Sequence, residues 1–264
     1  MDGDGRVFVG LRGAVARLDG DQLATPGAAG SDVVRSIALH GGDLVVTEQR
    51  SSEIYVSDSG RHVATVAGEL GEVAEQPLPT GEPLPAVTPL PLVLDVAAGD
   101  DVYAAVRALQ DDPATAVAQV VRVRDDEIEV VAGSRAQACD GAGGPAVDAA
   151  FGRIGGLAVD AGGAVLAADG QCRRLWRIAP GGILEEAAGE AALLDPLDVV
   201  VEPGGVAYVL DVGHEAVIAV GPDGTAEAVV EGVPHLDGLS QLALDGDGRP
   251  WITAGDRVLL ARPR

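Results

Sequence analysis

Short apolar runs separated by tight turns recur along the chain. In residues 156–189 four such runs, LAVD, AVLAAD, LWRIAP and ILEEAAG, are separated by AGG, GQCRR and GG. Apolar or alternating runs of this length, bounded by Gly and Asp, indicate strands joined by hairpins. Gly and Pro interrupt every longer window, so helices are not expected. The segment is therefore predicted to fold as a four-stranded antiparallel sheet.

The same pattern is repeated, and the repeat predicts the fold. Residues 196–232 place the turns EPGG and GPDG where the preceding unit has AGG and APGG. A period of about 40 residues with four strands per unit is typical of β-propeller blades, because one such sheet cannot bury both of its faces alone. We predict an all-β fold, a six-bladed β-propeller of four-stranded antiparallel blades whose terminal blades are incomplete.

The array is predicted to form a single domain over residues 1–264. Its blades are expected at about 1–30, 34–68, 92–133, 156–189, 196–232 and 239–264, and its long loops at 69–91 and 134–155. The first sequence repeat lacks an innermost strand, and the last repeat stops after its third strand. Both features fit a domain taken from a longer chain. The loop at 69–91 is rich in Pro and has no period, so we expect an ordered loop over one face.

Residues 139–189 carry motifs of a known family. The loop CDGAGGPAVDAAFG leads into the strand GLAVD, and AVLAAD and an arginine-bearing run follow. This segment resembles the NHL-repeat β-propellers of bacteria, in which a GDGGPA loop precedes GLAVD and VYVAD strands. The matching positions are Gly141, Gly143, Gly144, Pro145, Ala146, Gly156 to Asp160, Asp169, Arg174 and Arg177. The resemblance implies a propeller that acts as an interaction platform or sensor domain.

Charge and composition narrow the classes of partner. The chain has 264 residues, a formal net charge of -23 and an isoelectric point near 4.3. Such an acidic surface repels phosphate, so neither nucleic-acid binding nor attraction to an anionic membrane is expected. The sequence has no apolar run long enough for membrane insertion and no signal peptide at its start. We expect either a cytoplasmic protein or an extracellular domain of a longer chain.

The loops on one face of the blades are the candidate binding surface. In such blades the loops between the second and third strands share a face with the loops that link consecutive blades, and loops often carry function. The candidate binding residues on this top face are Arg12, Glu48, Arg50, Arg107, Asp169, Asp211, His214 and His235. Nothing in their spacing assigns a catalytic role to any of them.

The cysteines and histidines leave alternatives open. Cys139 and Cys172 are expected close together on the top face, so a disulfide and a pair of free thiols are both open. Zinc usually takes four ligands, so two cysteines do not predict a zinc site. His214 and His235 fit a metal pair, an acid–base group or surface histidines. No metal and no cofactor are predicted.

Three functions are consistent with these patterns. The preferred one is a binding or sensing module that offers its top-face loops to a protein, peptide or small-molecule ligand. The alternative is a propeller enzyme, a lactonase-like hydrolase or a lyase, with its site at the mouth of the central channel. In the lactonase-like group Asn is among the metal ligands, and this chain contains no Asn. The third is an assembly role in which open blade edges pair with another chain, and the oligomeric state is left open.

Overall fold

The computed structural model describes a chain built from short antiparallel strands. The described residues are 7–11, 14–19, 22–24, 34–48, 52–58, 61–69, 72–108, 116–134, 138–238, 240–245, 247–255 and 257–260. Within them the one helix is a single 3-10 turn, Ala146–Asp148, and no helix is long and apolar enough to cross a membrane. The chain divides into two compact units, a first unit of residues 1–137 and a second unit of residues 138–264.

The first unit contains three antiparallel sheets. A three-stranded sheet consists of β1 (Val7–Leu11), β2 (Ala14–Asp19) and β3 (Gln22–Ala24). A four-stranded sheet consists of β4 (Val34–His40), β5 (Asp43–Glu48), β6 (Ile54–Asp58) and β7 (Arg61–Ala67). A five-stranded sheet, ordered β8-β12-β11-β10-β9, consists of β8 (Leu84–Pro85), β9 (Leu92–Ala98), β10 (Val102–Ala108), β11 (Val117–Arg124) and β12 (Glu127–Ala132).

The second unit also contains three antiparallel sheets. One consists of β13 (Ile154–Val159), β14 (Val165–Asp169), β15 (Arg174–Ile178) and β16 (Leu184–Ala188). The next consists of β17 (Pro196–Val201), β18 (Ala207–Asp211), β19 (Ala216–Val220) and β20 (Ala226–Glu231). The last consists of β21 (Leu242–Leu244), β22 (Pro250–Ala254) and β23 (Arg257–Leu260).

The expected six-bladed propeller of four-stranded blades is wrong. The structure supports a β-propeller with five blades. Four blades have four strands each, β4–β7, β9–β12, β13–β16 and β17–β20, and the fifth, β21–β23, has three. The strands β1–β3 form a short separate sheet, and no described residue supplies a fourth strand to it. Counting apolar runs overestimated the blades because a run can pair in a short sheet without completing a blade.

The segment that the sequence predicted as a loop at 69–91 contains a strand. Its β8 pairs with the outer strand β12 through Pro85 opposite Glu127 and Leu84 opposite Ile128. Leu78 from the same segment joins the core cluster that β4–β7 share with β9–β12. The side-chain amide of Gln119 holds this segment, because it accepts from the Leu78 N–H at 2.8 Å and donates to the Leu78 carbonyl at 3.0 Å.

Small aliphatic side chains build the cores between neighbouring blades. Aromatic residues make up only 3% of the sequence, and the described core clusters consist mainly of Val, Ala, Leu and Ile. In the second unit the inner strand β13 packs beside β17, and β17 packs beside β21. Gly155 permits the close approach of β13 to β17, because a Cβ atom there would lie 2.2 Å from the Leu197 carbonyl oxygen. The blades of this unit therefore stack through their inner strands.

Candidate functional site

Three candidate residues occupy one repeated position, the last residue of the second strand of a blade. Glu48, Asp169 and Asp211 each pair with the first residue of the inner strand of the same blade. Arg107 is half-buried and lies one residue before the end of β10. The remaining candidates of the first unit, Arg12 and Arg50, lie outside the described residues.

In the first unit, Glu48 is engaged by a buried tyrosine. The Tyr55 hydroxyl donates to Glu48 Oε1 at 3.1 Å. Burial, together with the negative charge of Glu48, raises the pKa of Tyr55 above its ordinary value. The phenol therefore stays protonated at neutral pH and remains a donor to Glu48.

Asp169 is fully buried and surrounded by donors. Its Oδ2 accepts from the Gly152 N–H at 2.8 Å and from Trp176 Nε1 at 3.3 Å. Its Oδ1 accepts from the N–H groups of Arg153 at 2.8 Å and Cys172 at 3.1 Å. One carboxylate thus fixes the loop that enters β13 and the loop that leaves β14. The ligand-binding role expected for Asp169 stays a prediction, whereas its structural role is visible.

Asp211 repeats this arrangement one blade later. It is fully buried, its Oδ2 accepts from the Leu194 N–H at 2.8 Å, and its Oδ1 accepts from the N–H groups of Asp195 at 3.2 Å and His214 at 2.9 Å. The ring atom His214 Nδ1 lies 3.3 Å from Asp211 Oδ1. The His214 side chain is 37% exposed, so a buried carboxylate orients an accessible imidazole.

His235 lies in the next loop along the chain. It is exposed and has a φ of 61°, a conformation uncommon for residues other than glycine. Its loop is tied to the loop of His214, because the Val233 N–H donates to the Glu215 carbonyl at 2.8 Å. The two histidines therefore sit in adjacent, hydrogen-bonded loops.

A disulfide joins Cys139 to Cys172. It links the segment that precedes β13 to the loop between β14 and β15, with the two Cα atoms 5.4 Å apart. The sequence had left this bond and a pair of free thiols open. Both cysteines belong to the second unit, and the bond fixes two loops at the same end of the blade.

The loop that precedes β13 covers the outer edge of its own blade. The Gly143 N–H donates to the Leu184 carbonyl at 2.7 Å, and the Leu184 N–H donates to the Gly144 carbonyl at 2.9 Å. The Ala146 N–H then donates to the Gly182 carbonyl at 2.7 Å. These bonds use backbone groups of β16 and its preceding turn, so residues 143–146 protect the edge strand.

Further bonds connect the loops of consecutive blades. Arg153 Nη2 lies 2.5 Å from Asp195 Oδ1, and the Val212 N–H donates to the Asp195 carbonyl at 3.0 Å. Residues 138–141, 150–153, 170–173, 189–195, 212–215 and 232–238 share this end of the second unit's blades, and we call them the loop face. The loop face is held by a disulfide, an ion pair and two buried carboxylates.

One repeated position in the inner strands, polar in three of four blades, was not predicted from the sequence. Four inner strands carry a β-bulge at the same point, and the residues that follow the bulge are Ser36, Asp95, Gly156 and Asp198. Asp198 is buried, and its Oδ2 accepts from the Leu242 N–H of the neighbouring blade at 2.6 Å. A lone polar residue at a repeated place in an apolar run was the signal that could have revealed it.

Potential metal ligands do not cluster among the described side chains. Among them no group of three or more His, Cys, Asp and Glu residues is arranged to hold a metal ion. The loop face carries hydrogen-bonding and apolar groups, including the imidazoles of His214 and His235.

No family model matches the sequence, and no curated protein matches it. Solved structures do match its fold. The nidogen/laminin complex gives a TM-score of 0.67 at 11% identity, over 97% of this chain and 88% of that chain. A gluconolactonase from Xanthomonas campestris gives 0.64 at 17% identity, over 96% and 80%. Virginiamycin B lyase from Staphylococcus aureus gives 0.57 at 12% identity, over 99% and 78%.

These similarities define the class of protein as a β-propeller. The fold is shared by a protein from a binding complex and by lactonase and lyase enzymes, so it does not by itself select a function. Membership of the NHL-repeat family, which the loop and strand motifs suggested, stays a prediction.

Proposed function

We propose that this chain is a binding module whose recognition surface is the loop face of the second unit. The observation that carries this proposal is the cross-linking of that face. The Cys139–Cys172 disulfide, the Arg153–Asp195 ion pair and the carboxylate of Asp169 each join loops that the strands alone would leave independent.

Pre-ordered loops favour binding because less conformational entropy is lost when a partner docks. The loop face combines an exposed apolar residue, Leu194, with charged and polar neighbours in sequence and loop such as Glu190 and His214. Mixed surfaces of this kind suit protein or peptide partners. A sensor role would use the same surface.

Two matched variants test this proposal. Leu194 is 40% exposed on the loop face, and Ile183 is 41% exposed in the turn at the opposite end of a blade. Peptides selected from a displayed random library against the wild-type chain should bind Leu194→Asp at least about tenfold more weakly, a typical loss at an interface anchor. They should bind Ile183→Asp as they bind the wild type. Equal loss in both variants, or no enrichment of peptides, would overturn the proposal.

A second candidate function is an enzyme, and the Asp211–His214 pair favours it. A buried carboxylate next to an imidazole nitrogen orients the ring, which is the geometry that a general base requires. The similar structures include a gluconolactonase and a lyase. In this reading His214 exchanges a proton with a substrate held at the loop face.

Acid release from glucono-δ-lactone would test the enzyme candidate. If His214 is the base, His214→Gln should lower kcat by about a hundredfold, the usual scale of general-base catalysis. His235→Gln should leave kcat within about twofold, since no carboxylate of the described residues pairs with its ring as Asp211 pairs with that of His214. A wild-type rate equal to the buffer rate, over a range of lactones, would remove this candidate.

The disulfide is also relevant to the cellular compartment in which such a module functions. Disulfides persist in oxidising compartments and are rare in the reducing cytosol. We therefore propose that the chain functions outside the cytosol. Thiol titration of denatured protein, purified with free thiols blocked at lysis, should find no free cysteine, and two free cysteines would contradict the proposal.

A further inference from the structure

A cleft opens between two blades of the second unit, at the end opposite the loop face. It lies between β13–β16 and β17–β20 and has a volume of about 460 Å³. Its apolar floor includes Leu166 and Leu175, and the turn residues Asp160 and Asp223 stand at its rim. Cavities of this size are typical of small-molecule sites.

One wall of the cleft differs from the corresponding strands β6 and β7 of the first unit. In β15 and β16 the wall carries Arg177 paired opposite Glu185. The strand register places Val56 opposite Ala64 at the matching positions of β6 and β7. The apolar cross-strand pair of β6 and β7 is thus replaced by a charged pair, as it also is in the blade β9–β12, where Arg122 lies opposite Glu129.

The cleft is also widened by smaller side chains. Val102 begins β10 opposite Val123, and the register places Ala207 opposite Val220 at the matching positions of β18 and β19. In the outer strands, Ala187 occupies the place that Val66 holds in β7. Both alanines line the cleft. The space therefore arises from the local sequence, where the first unit has valines.

The charges around the cleft are predominantly negative. Four carboxylates and one guanidinium line it, namely Asp160, Glu185, Glu186, Asp223 and Arg177. The guanidinium is already shared, because Arg177 Nη2 lies 3.2 Å from Asp160 Oδ2 and Nη1 lies 2.8 Å from Glu185 Oε2. Glu186 Oε2 accepts from Arg174 Nε at 2.7 Å, so the lining carboxylates still outnumber the two guanidinium groups that contact them. Hydrogen bonds from Thr225 lower the pKa of Asp223, so this carboxylate is ionised at neutral pH.

We propose that this cleft binds an organic cation with an apolar body, such as an aryl or alkyl amine. The apolar floor would bury the body of the ligand, and the rim carboxylates would receive its ammonium group. A local excess of negative charge attracts cations and raises their concentration at the site. This ligand class is set by the cleft, so the inference is independent of the loop-face proposal.

Monodansylcadaverine is a suitable probe because it joins a fluorescent aromatic group to a protonated primary amine. Its N-acetyl derivative has the same aromatic body without the charge. At low ionic strength the amine should bind the full-length chain with an enhanced, blue-shifted emission. The acetylated derivative should bind at least about fivefold more weakly, in line with the loss of an exposed charge pair.

Two sets of variants locate the site. Ala187→Val combined with Ala207→Val restores the side chains of the first unit and should weaken amine binding at least about fivefold through lost volume. Glu186→Gln and Asp223→Asn should each weaken it about two- to fivefold. Glu227→Gln, on the exposed outer strand β20 and not among the residues that line the cleft, is the control and should bind as the wild type does.

Each outcome decides the proposal. Equal affinity for the amine and its acetylated form would overturn the cation assignment. Unchanged amine binding in the folded valine variant and in both carboxylate variants would overturn the location. If the valine variant fails to fold, as judged by thermal unfolding, the carboxylate variants and their control decide the question alone.

Discussion

At the scale of single residues, buried carboxylates organise the loops. Asp169, Asp198 and Asp211 are all buried, and each accepts from backbone N–H groups of segments distant in the chain. Burying a charge costs much free energy unless several donors surround it. These residues therefore accept from backbone groups at strand ends, for Asp169 and Asp211, and at the bulge of an inner strand, for Asp198.

Removing the Asp169 carboxylate should destabilise the protein strongly. Asp169→Ala leaves the N–H groups of Gly152, Arg153 and Cys172 without their acceptor. We expect the free energy of unfolding to fall by about 3 kcal/mol or more, measured by urea denaturation. Glu227→Ala on the exposed outer strand should change it by less than about 0.5 kcal/mol. A loss below about 1 kcal/mol for Asp169→Ala would contradict the assigned role.

A second residue-scale prediction concerns pH. Burial opposes ionisation of Asp245, but donors from Arg249, Trp251 and Asp247 outweigh it and lower the pKa of Asp245 below 3.8. A carboxylate with a lowered folded pKa adds stability that is complete above the unfolded pKa and is lost as pH falls through the folded pKa. The contribution of Asp245 should therefore be constant near neutral pH and vanish in strong acid.

The measurement compares the wild type with Asp245→Asn in urea denaturation, from neutral pH to about pH 3. The difference in free energy of unfolding should shrink as the pH falls. Emission from Trp251 should report the same change, because its Nε1 donates to Asp245 Oδ2 at 3.1 Å. If the difference in free energy of unfolding grew as the pH fell, the lowered pKa assigned to Asp245 would be contradicted.

At the scale of elements, the sequence predicted strands better than their assembly. Alternating apolar runs and Gly turns located β13–β16, since local pattern and local structure agree there. The strand β8 was missed because Leu84 and Pro85 form a pair too short to show a period. The predicted number of blades was wrong because the sequence of one apolar run does not show which other run it pairs with. The cleft was missed since it depends on Ala187 and Ala207 facing each other across two blades.

Glycine at the contact between inner strands gives an element-scale prediction. A Cβ at Gly155 would lie 2.2 Å from the Leu197 carbonyl oxygen, whereas a Cβ at Gly181 would meet nothing within 4 Å. Gly155→Ala must push β13 away from β17, so we expect a loss of about 2 kcal/mol or more in the free energy of unfolding. Gly181→Ala, the matched control, should be neutral or slightly stabilising. Equal changes in the free energy of unfolding for the two variants would show that β13 can move away from β17 without cost.

At the scale of the whole molecule, charge opposes compactness. The sequence carries 41 acidic and 18 basic side chains apart from His, and all 18 are Arg. Negative charges in such excess repel one another within the folded chain. Core packing has to offset this repulsion, and it does so with aliphatic side chains of modest size.

Added salt should therefore stabilise the protein. Screening of the net charge of -23 should raise Tm by a few degrees between about 20 and 200 mM sodium chloride, because the screening length shortens over that range. Differential scanning calorimetry measures the change. A neutral osmolyte at the same osmolality is the control and should produce a smaller rise. A Tm that falls with salt would show that specific ion pairs outweigh the net repulsion.

The segments that lie along two outer strands have a consequence at high concentration. β8 occupies the edge of β12, and residues 143–146 occupy the edge of β16. An open strand edge is where a second molecule can add, and then a third, as monomers add to a growing polymer. These segments occupy backbone groups of β12 and β16, so a second molecule cannot add to those two edges by strand pairing.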